Sequence, residues 1–163
     1  MKTIVCLTHP MMKRMSRALR IWGLTVFGTV AVDQLTKALA LYFEPCRLAI
    51  IPNFFSLTLT TNPGSIWGLG AEYTRFFAYL GIVFLVLAVF FFCSFLKTRP
   101  IVGGFLTGGI LGNTLDRFRY GCVTDFLDFY VKEWHWPCFN VADIAITGTC
   151  LWLMFGGGMK KNG

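Results

Sequence analysis

Residues 76–96 contain no charged side chain, and a run of that length restricts the fold more than any other feature. About 20 apolar residues in an α-helix cross the ~30 Å hydrocarbon core of a bilayer, whereas the helices of soluble proteins carry one polar face. Three further runs share this character. Residues 21–43 are apolar except around Asp33, Gln34 and Lys37. Residues 101–117 are apolar and glycine-rich and end at Asp116-Arg117. Residues 141–158 are apolar apart from Asp143. Charged residues make up only 14% of the chain, against about 25% in soluble domains. The runs predict an all-α membrane protein with four transmembrane helices in a single integral domain spanning 1–163. Residues 44–75 and 118–140 then form the segments outside the bilayer.

The net charge of +7 does not point to nucleic acid, because the basic residues sit where membrane topology needs them. Lys2, Lys13, Arg14, Arg17 and Arg20 precede the first run, Lys97 and Arg99 lie in the short turn between the second and third, and Lys160 and Lys161 follow the fourth. None of the eight acidic residues lies in these segments. An excess of Lys and Arg marks the cytoplasmic side. Both termini and the turn at 97–100 are therefore expected in the cytoplasm, with 44–75 and 118–140 on the outer face. The basic start, the apolar stretch and Ala38-Leu39-Ala40 also look like a cleaved signal peptide. Cleavage there would discard Asp33 and Lys37 and leave an odd number of spans, so the run is read as a retained first span.

Within the first outer segment, residues 50–61 are rich in β-branched and aromatic side chains and alternate in part, which predicts a strand. Asn62-Pro63-Gly64 breaks it. The second segment reads as a shorter loop carrying Trp134 and Trp136 at headgroup level. Gly104, Gly108 and Gly112 recur every four residues on one helix face, a seam for close helix packing.

Ionisable residues inside a span are costly and are candidates for function. Asp33 lies roughly 18 Å up the first helix, at 1.5 Å per residue, with Lys37 one turn higher on the same face. Asp116 and Arg117 end the outward-running third helix, Asp143 begins the inward-running fourth, and Asp125 lies between them, so all gather towards the outer side. His9 is in the N-terminal arm and His135 is alone on the outer loop, which leaves a Ser-His-Asp triad or an H-E-x-x-H zinc site unsupported. Ser65 reads as a turn residue rather than a nucleophile paired with Lys37. The six cysteines form no C-x-x-C pair, so no metal and no cofactor is expected. Cys46, Cys122 and Cys138 all lie outside, and the sequence does not choose a pairing among them. That leaves carboxylates. Two aspartates held close together cannot both ionise easily. One keeps a proton while the other acts as base on a shared water. Asp125 and Asp143 suit this role, although interfacial aspartates also cap helices.

Four ordered blocks resemble the lipoprotein signal peptidases (signal peptidase II). They are Asp33-Gln34-Leu35-Thr36-Lys37, then Asn62-Pro63-Gly64-Ser65-Ile66-Trp67-Gly68, then 108–117 continuing into Gly121-Cys122-Val123-Thr124-Asp125-Phe126, and finally Phe139-Asn140-Val141-Ala142-Asp143-Ile144-Ala145-Ile146. The resemblance implies a four-helix aspartic peptidase that removes the signal peptide just before a diacylglyceryl-modified cysteine. It implies Asp125 and Asp143 as the catalytic pair. It implies Asp33, Lys37, Asn62, Gly64, Asn113, Asp116, Arg117, Asn140 and Ala142 as residues that bind substrate or support the site. It also implies that 44–75 forms a small outer-face β-cradle with an interfacial helix. The partners would be diacylglyceryl-modified prolipoproteins and membrane lipids, and the enzyme a monomer. Ser65-Ile66 stands where the family has Ala-Ala, and Thr124 where a valine is common.

Other readings of the same residues remain open at this level. Asp33 and Lys37 also form an i,i+4 pair that makes a polar span tolerable. Asn113 and Asn140 also serve as interhelical hydrogen-bonding groups. Asp128 reads as a solvated loop acid. Two rival functions are a metal-dependent phosphotransferase on lipid-linked substrates, from the acids at 116, 125 and 128, and a non-enzymatic transport or assembly subunit using Asp33 and Lys37 as a polar relay.

Overall fold

The computed structural model describes residues 2–44, 47–64, 74–94 and 98–156. Among them the chain forms four α-helices and a four-stranded antiparallel sheet. Helix α1 spans Lys2–Phe43, α2 Thr74–Ser94, α3 Pro100–Tyr120 and α4 Val141–Leu151, the last continuing as a π-helical turn over Trp152–Gly156. Two helical stretches, Met12–Phe43 and Arg75–Cys93, are long and apolar enough to cross a bilayer. Beyond the basic residues at 13–20 and Arg75, their large exposed side chains are apolar or aromatic, among them Leu24, Phe27 and Leu35 on α1, and Phe84, Val86 and Phe90 on α2. Many of the buried positions are polar instead, with Thr29, Asp33 and Lys37 from α1 and Asn113, Thr114 and Asp116 from α3, beside the small or aromatic Ala40, Ala78, Ala88 and Phe92. A chain that is apolar outside and polar within is built for a lipid solvent.

Helix α3 is central and packs against α1, α2 and α4. Pro100 sits in its first turn, where a missing N–H is harmless, and Gly121 closes it in the left-handed region at φ 71°. The glycine seam lets α1 approach. A methyl group on Gly104, Gly108 or Gly112 would collide with Thr25, Thr29 or Asp33 respectively, which follow the same four-residue period on α1. Gly109 faces the other way, against the Ala142 carbonyl of α4.

Several expectations need correction. The predicted strand at 50–61 is two strands, β1 (Leu48–Ile51) and β2 (Phe55–Asn62), separated by a turn in which Asn53 takes φ 61°. Pro52-Asn53 supplies that turn, and the β-branched residues on either side mask it when the stretch is read as one run. The second segment, read as a loop, is instead a hairpin of β3 (Val123–Val131) and β4 (Trp134–His135), turned at Lys132, φ 57°. The order is β1-β2-β3-β4, with Thr60 opposite Asp125 and Ser56 opposite Asp128. The N-terminal arm and the first span are one continuous helix of 42 residues. The break at Asn62 is as expected, with the Asn62 side chain accepting the Gly64 N–H at 3.1 Å. Ser65, Ile66, Trp67 and Gly68, the interfacial helix predicted in 44–75, and Cys46 lie outside the described residues.

Candidate active site

Helix geometry brings Asp33 and Lys37 to one face of α1, and Asn113 and Asp116 to the facing side of α3. The Lys37 ammonium, 3% exposed, donates to Asp33 Oδ2 at 2.9 Å, Asp116 Oδ2 at 2.9 Å and Asn113 Oδ1 at 3.0 Å. All three of its protons are therefore used. The other oxygens of the two acids are occupied as well. Asp33 Oδ1 accepts the backbone N–H of Ala142 at 2.9 Å, which ties α1 to the first turn of α4. Asp116 Oδ1 accepts from Gln34 Nε2 at 2.9 Å, and Oδ2, besides the ammonium, accepts the N–H of Thr124 at 3.2 Å, which ties α3 to β3. Gln34 donates to Asp33 at 3.2 Å and to Asp116 at 2.9 Å. Sequence reasoning did not single out Gln34, because it lies about 100° around the helix from Asp33.

The network then dictates how the amides point. Asn113 Oδ1 receives the ammonium, so its Nδ2 must face the other way, and it donates to Asp143 Oδ1 at 2.7 Å. Asn140 is fully buried and forms a capping box with Asp143 at the start of α4. Its Oδ1 accepts the Asp143 N–H at 3.0 Å, and Asp143 Oδ2 accepts the Asn140 N–H at 3.2 Å. With its oxygen committed, the Asn140 Nδ2 donates to Asp125 Oδ1 at 2.7 Å and Asn113 Oδ1 at 3.1 Å. The carboxylates of β3 and α4 are thus joined through two asparagines, one oriented by the Lys37 ammonium and the other by the α4 cap.

Asp125 is buried on β3. Loss of hydration, then the nearby charge of Asp143, push its carboxyl up to about 7, against opposing pulls from Asn140, Lys37 and Asn62. Arg117 donates to the Gly64 carbonyl at 3.1 Å and to its own helix at the Asn113 carbonyl, so the turn after β2 is pinned to α3. Its buried Nε has no partner among the described residues. Every residue expected at the site is therefore in or beside one network: Asp33, Lys37, Asn62, Gly64, Asn113, Asp116, Arg117, Asp125, Asn140, Ala142 and Asp143.

Asp128 is the exception to the sequence reading. It is 2% exposed, not solvated, and it lies on the opposite face of β3 from Asp125. It accepts from Ser56 Oγ of β2 at 2.8 Å and pairs with His135 Nδ1 of β4 at 2.8 Å, so it ties three strands together. His135, in turn, is not alone, since it also stacks on Tyr130. Cys122 and Cys138 are free thiols, and burial pushes both up from the usual thiol range.

A lipid-facing helical bundle with a buried Asp125 coupled to a half-buried Asp143 at its sheeted end defines a membrane protein organised around two coupled carboxyls. The family model described as "Signal peptidase (SPase) II" matches residues 25–157. Lipoprotein signal peptidases are among the curated relatives. That of Desulforapulum autotrophicum is 38% identical over 128 residues, covering 72% of this chain and 79% of the relative. That of Nitratidesulfovibrio vulgaris is 42% identical over 134 residues, covering 74% and 81%. A solved bacterial membrane enzyme, determined by the in meso method at 2.3 Å, superposes with a TM-score of 0.74 at 27% identity, covering 87% of this chain and 93% of that one. The chain belongs to the signal peptidase II family.

Proposed function

We propose that this protein is a membrane aspartic endopeptidase that removes the signal peptide of prolipoproteins just before the diacylglyceryl-modified cysteine. The observation that carries the reading is the coupling of Asp125 and Asp143 through Asn140 and Asn113, in a chain of the signal peptidase II family. Asp125, pushed up to about 7, holds the proton. Asp143, whose oxygens accept N–H groups from Asn113 and Asn140, is the base. Asp143 takes a proton from a water as its oxygen adds to the scissile carbonyl carbon. Asp125 gives its proton to the carbonyl oxygen. Collapse of the gem-diol returns that proton to Asp125 and passes the one on Asp143 to the leaving nitrogen. Asn62, Gly64 and Arg117 line the approach, while Asp33, Lys37, Asp116, Asn113, Asn140 and Ala142 hold the pair in place.

The same reading makes all four helices transmembrane in a single domain, with both termini cytoplasmic and the pair near the outer face of the bacterial inner membrane. The charge bias of the flanking segments supports it. The enzyme acts as a monomer in contact with membrane lipids, and the acyl chains of the substrate supply binding energy that seats the scissile bond.

Two aspartates and a water need no metal. Hydrolysis of a lipidated proprotein by the purified enzyme should continue undiminished in EDTA. Loss on chelation, restored by magnesium, would favour the phosphotransferase-like use of these acids instead.

The raised carboxyl of Asp125 sets a pH dependence with a definite sign. Cleavage should fall as pH rises through about 7, because the pair then loses the proton it shares; the midpoint belongs to the pair rather than to one residue. The folded chain also binds this proton more tightly than the unfolded chain, whose aspartate titrates near 3.8. Its contribution to stability is therefore fully present below about 4 and is lost as pH rises through about 7. Thermal unfolding of Asp125→Asn should lack that decline. A cleavage profile that instead rose through pH 7 and on to 9 would remove Asp125 as the proton carrier.

A further inference from the structure

We propose that the N-terminal part of α1 is a binding surface for anionic phospholipid headgroups, built on Arg17 and Arg20 and extended by Lys13. The inference rests on α1 crossing the membrane and not on the peptidase chemistry.

Lys13, Arg17 and Arg20 fall within about 60° of one another at 3.6 residues per turn. They line a shallow surface with Ser16, Ile21 and Leu24. All three cations are exposed, and none forms an ion pair among the described residues. No acidic residue occurs before Asp33 in the sequence. Thr25, Thr29 and Asp33, the residues that meet the glycines of α3, lie roughly opposite on the helix. The cations therefore face away from the bundle. Leu24, 71% exposed, follows directly beneath them on the same side. The surface thus offers charge for a phosphate and, one turn on, an apolar side chain for the start of an acyl chain. The far side of the same turns carries exposed Met12, Met15 and Leu19, and basic, amphipathic turns of this kind dwell at lipid surfaces.

Helix length sets the depth. The 42 residues of α1 extend about 63 Å, roughly twice a hydrocarbon core. Counting about 20 residues back from Phe43 puts Leu24 at the edge of the core. Arg20 is then about 6 Å beyond it, Arg17 about 10 Å and Lys13 about 16 Å. The headgroup layer is about 5–8 Å deep, and the Debye length is about 8 Å at physiological salt. Arg20 and Arg17 therefore act on headgroups at close range, and Lys13 only weakly. The family match begins at residue 25, so these cations precede the part of the chain that carries the family pattern.

The test is native mass spectrometry of the full-length protein in detergent with equimolar phosphatidylglycerol and phosphatidylcholine. A basic residue near an anionic surface strengthens attraction by about fivefold. Wild type should retain phosphatidylglycerol at least about fivefold over phosphatidylcholine. R17Q/R20Q should reduce phosphatidylglycerol retention by more than about tenfold, R17K/R20K should keep most of it, and K13Q should lower it by about twofold or less. Thermal unfolding of each variant checks that it is folded. Equal retention of the two lipids, or an unchanged preference in folded R17Q/R20Q, would overturn the proposal. So would displacement of the lipid by an equal concentration of inorganic phosphate, which would make this a general anion surface. A surface that bound an acidic protein or nucleic acid with no preference between the two lipids would overturn it too.

Discussion

Asp125→Asn and Asp143→Asn are each expected to lower the cleavage rate by about a thousandfold or more, with the protein still folded. Asparagine nearly preserves size; at 125 its oxygen can still accept from Asn140, and at 143 it keeps one of the two N–H groups that the carboxylate accepts and gives up the other, a loss of about 1–3 kcal/mol that leaves the fold in place. An amide cannot, however, take a proton from water or give one to a carbonyl at neutral pH. The double variant should be about as inactive as either single one, because residues that act as a unit are not additive. The measurement is a gel-shift assay on a lipidated proprotein, with thermal unfolding run in parallel. The internal control is Glu133→Gln, since Glu133 is exposed at the β3–β4 turn and should keep nearly full activity. Asp128→Asn would be a poor control, because Asp128 is buried against Ser56 and His135. Two active single aspartate variants would end the peptidase reading.

Lys37→Met should produce a large loss of stability. Methionine fills most of the space but leaves Asp33 and Asp116, both almost fully buried, facing each other without the ammonium that lies 2.9 Å from each. Breaking a buried ion cluster by removing one partner costs about 3–5 kcal/mol, or about 10 °C in melting temperature for a chain of this size. Asn113 would also lose the cation that orients it, so activity should fall together with stability. The diagnostic comparison is Lys37→Met/Asp33→Asn. Neutralising one stranded carboxylate should recover a good part of the melting temperature without recovering activity. If Lys37→Met melted like wild type, the cluster would not be the keystone of the bundle that its hydrogen bonds imply.

Much of the site was legible along the chain because lipid is a strict solvent. A charge in an apolar run is conspicuous, and Asp33, Lys37, Asp116 and Asp143 stand out for that reason alone. The four-residue spacing of Gly104, Gly108 and Gly112 likewise identified a packing face before its partner was known. Gln34 was passed over because helical periodicity puts it on a different face from Asp33, yet its long side chain reaches back to both acids. Asp128 was misread because a loop was assumed where β3 runs. Alternation along Val123–Val131 separates it from Asp125, and only the pairing of β3 with β2 and β4 reveals that it is enclosed.

The sequence by itself determined the lipid-facing character of the chain, the helical runs, the charge bias of their ends and the short set of acids available for chemistry. These follow from local quantities, namely hydropathy, periodicity and the cost of a charge in an apolar run. Only the tertiary structure decided that the acids are coupled. Ala142 and Asp33 are 109 positions apart and Lys37 and Asn113 are 76 apart, so no local pattern links them. The coupling comes from donor and acceptor arithmetic: Lys37 can only donate, Asn113 must therefore turn its amide to Asp143, and Asn140, with its oxygen taken by the α4 cap, must turn its own to Asp125. A buried polar group takes whichever partner the fold brings within reach, and that choice exists only once the helices and the sheet are packed.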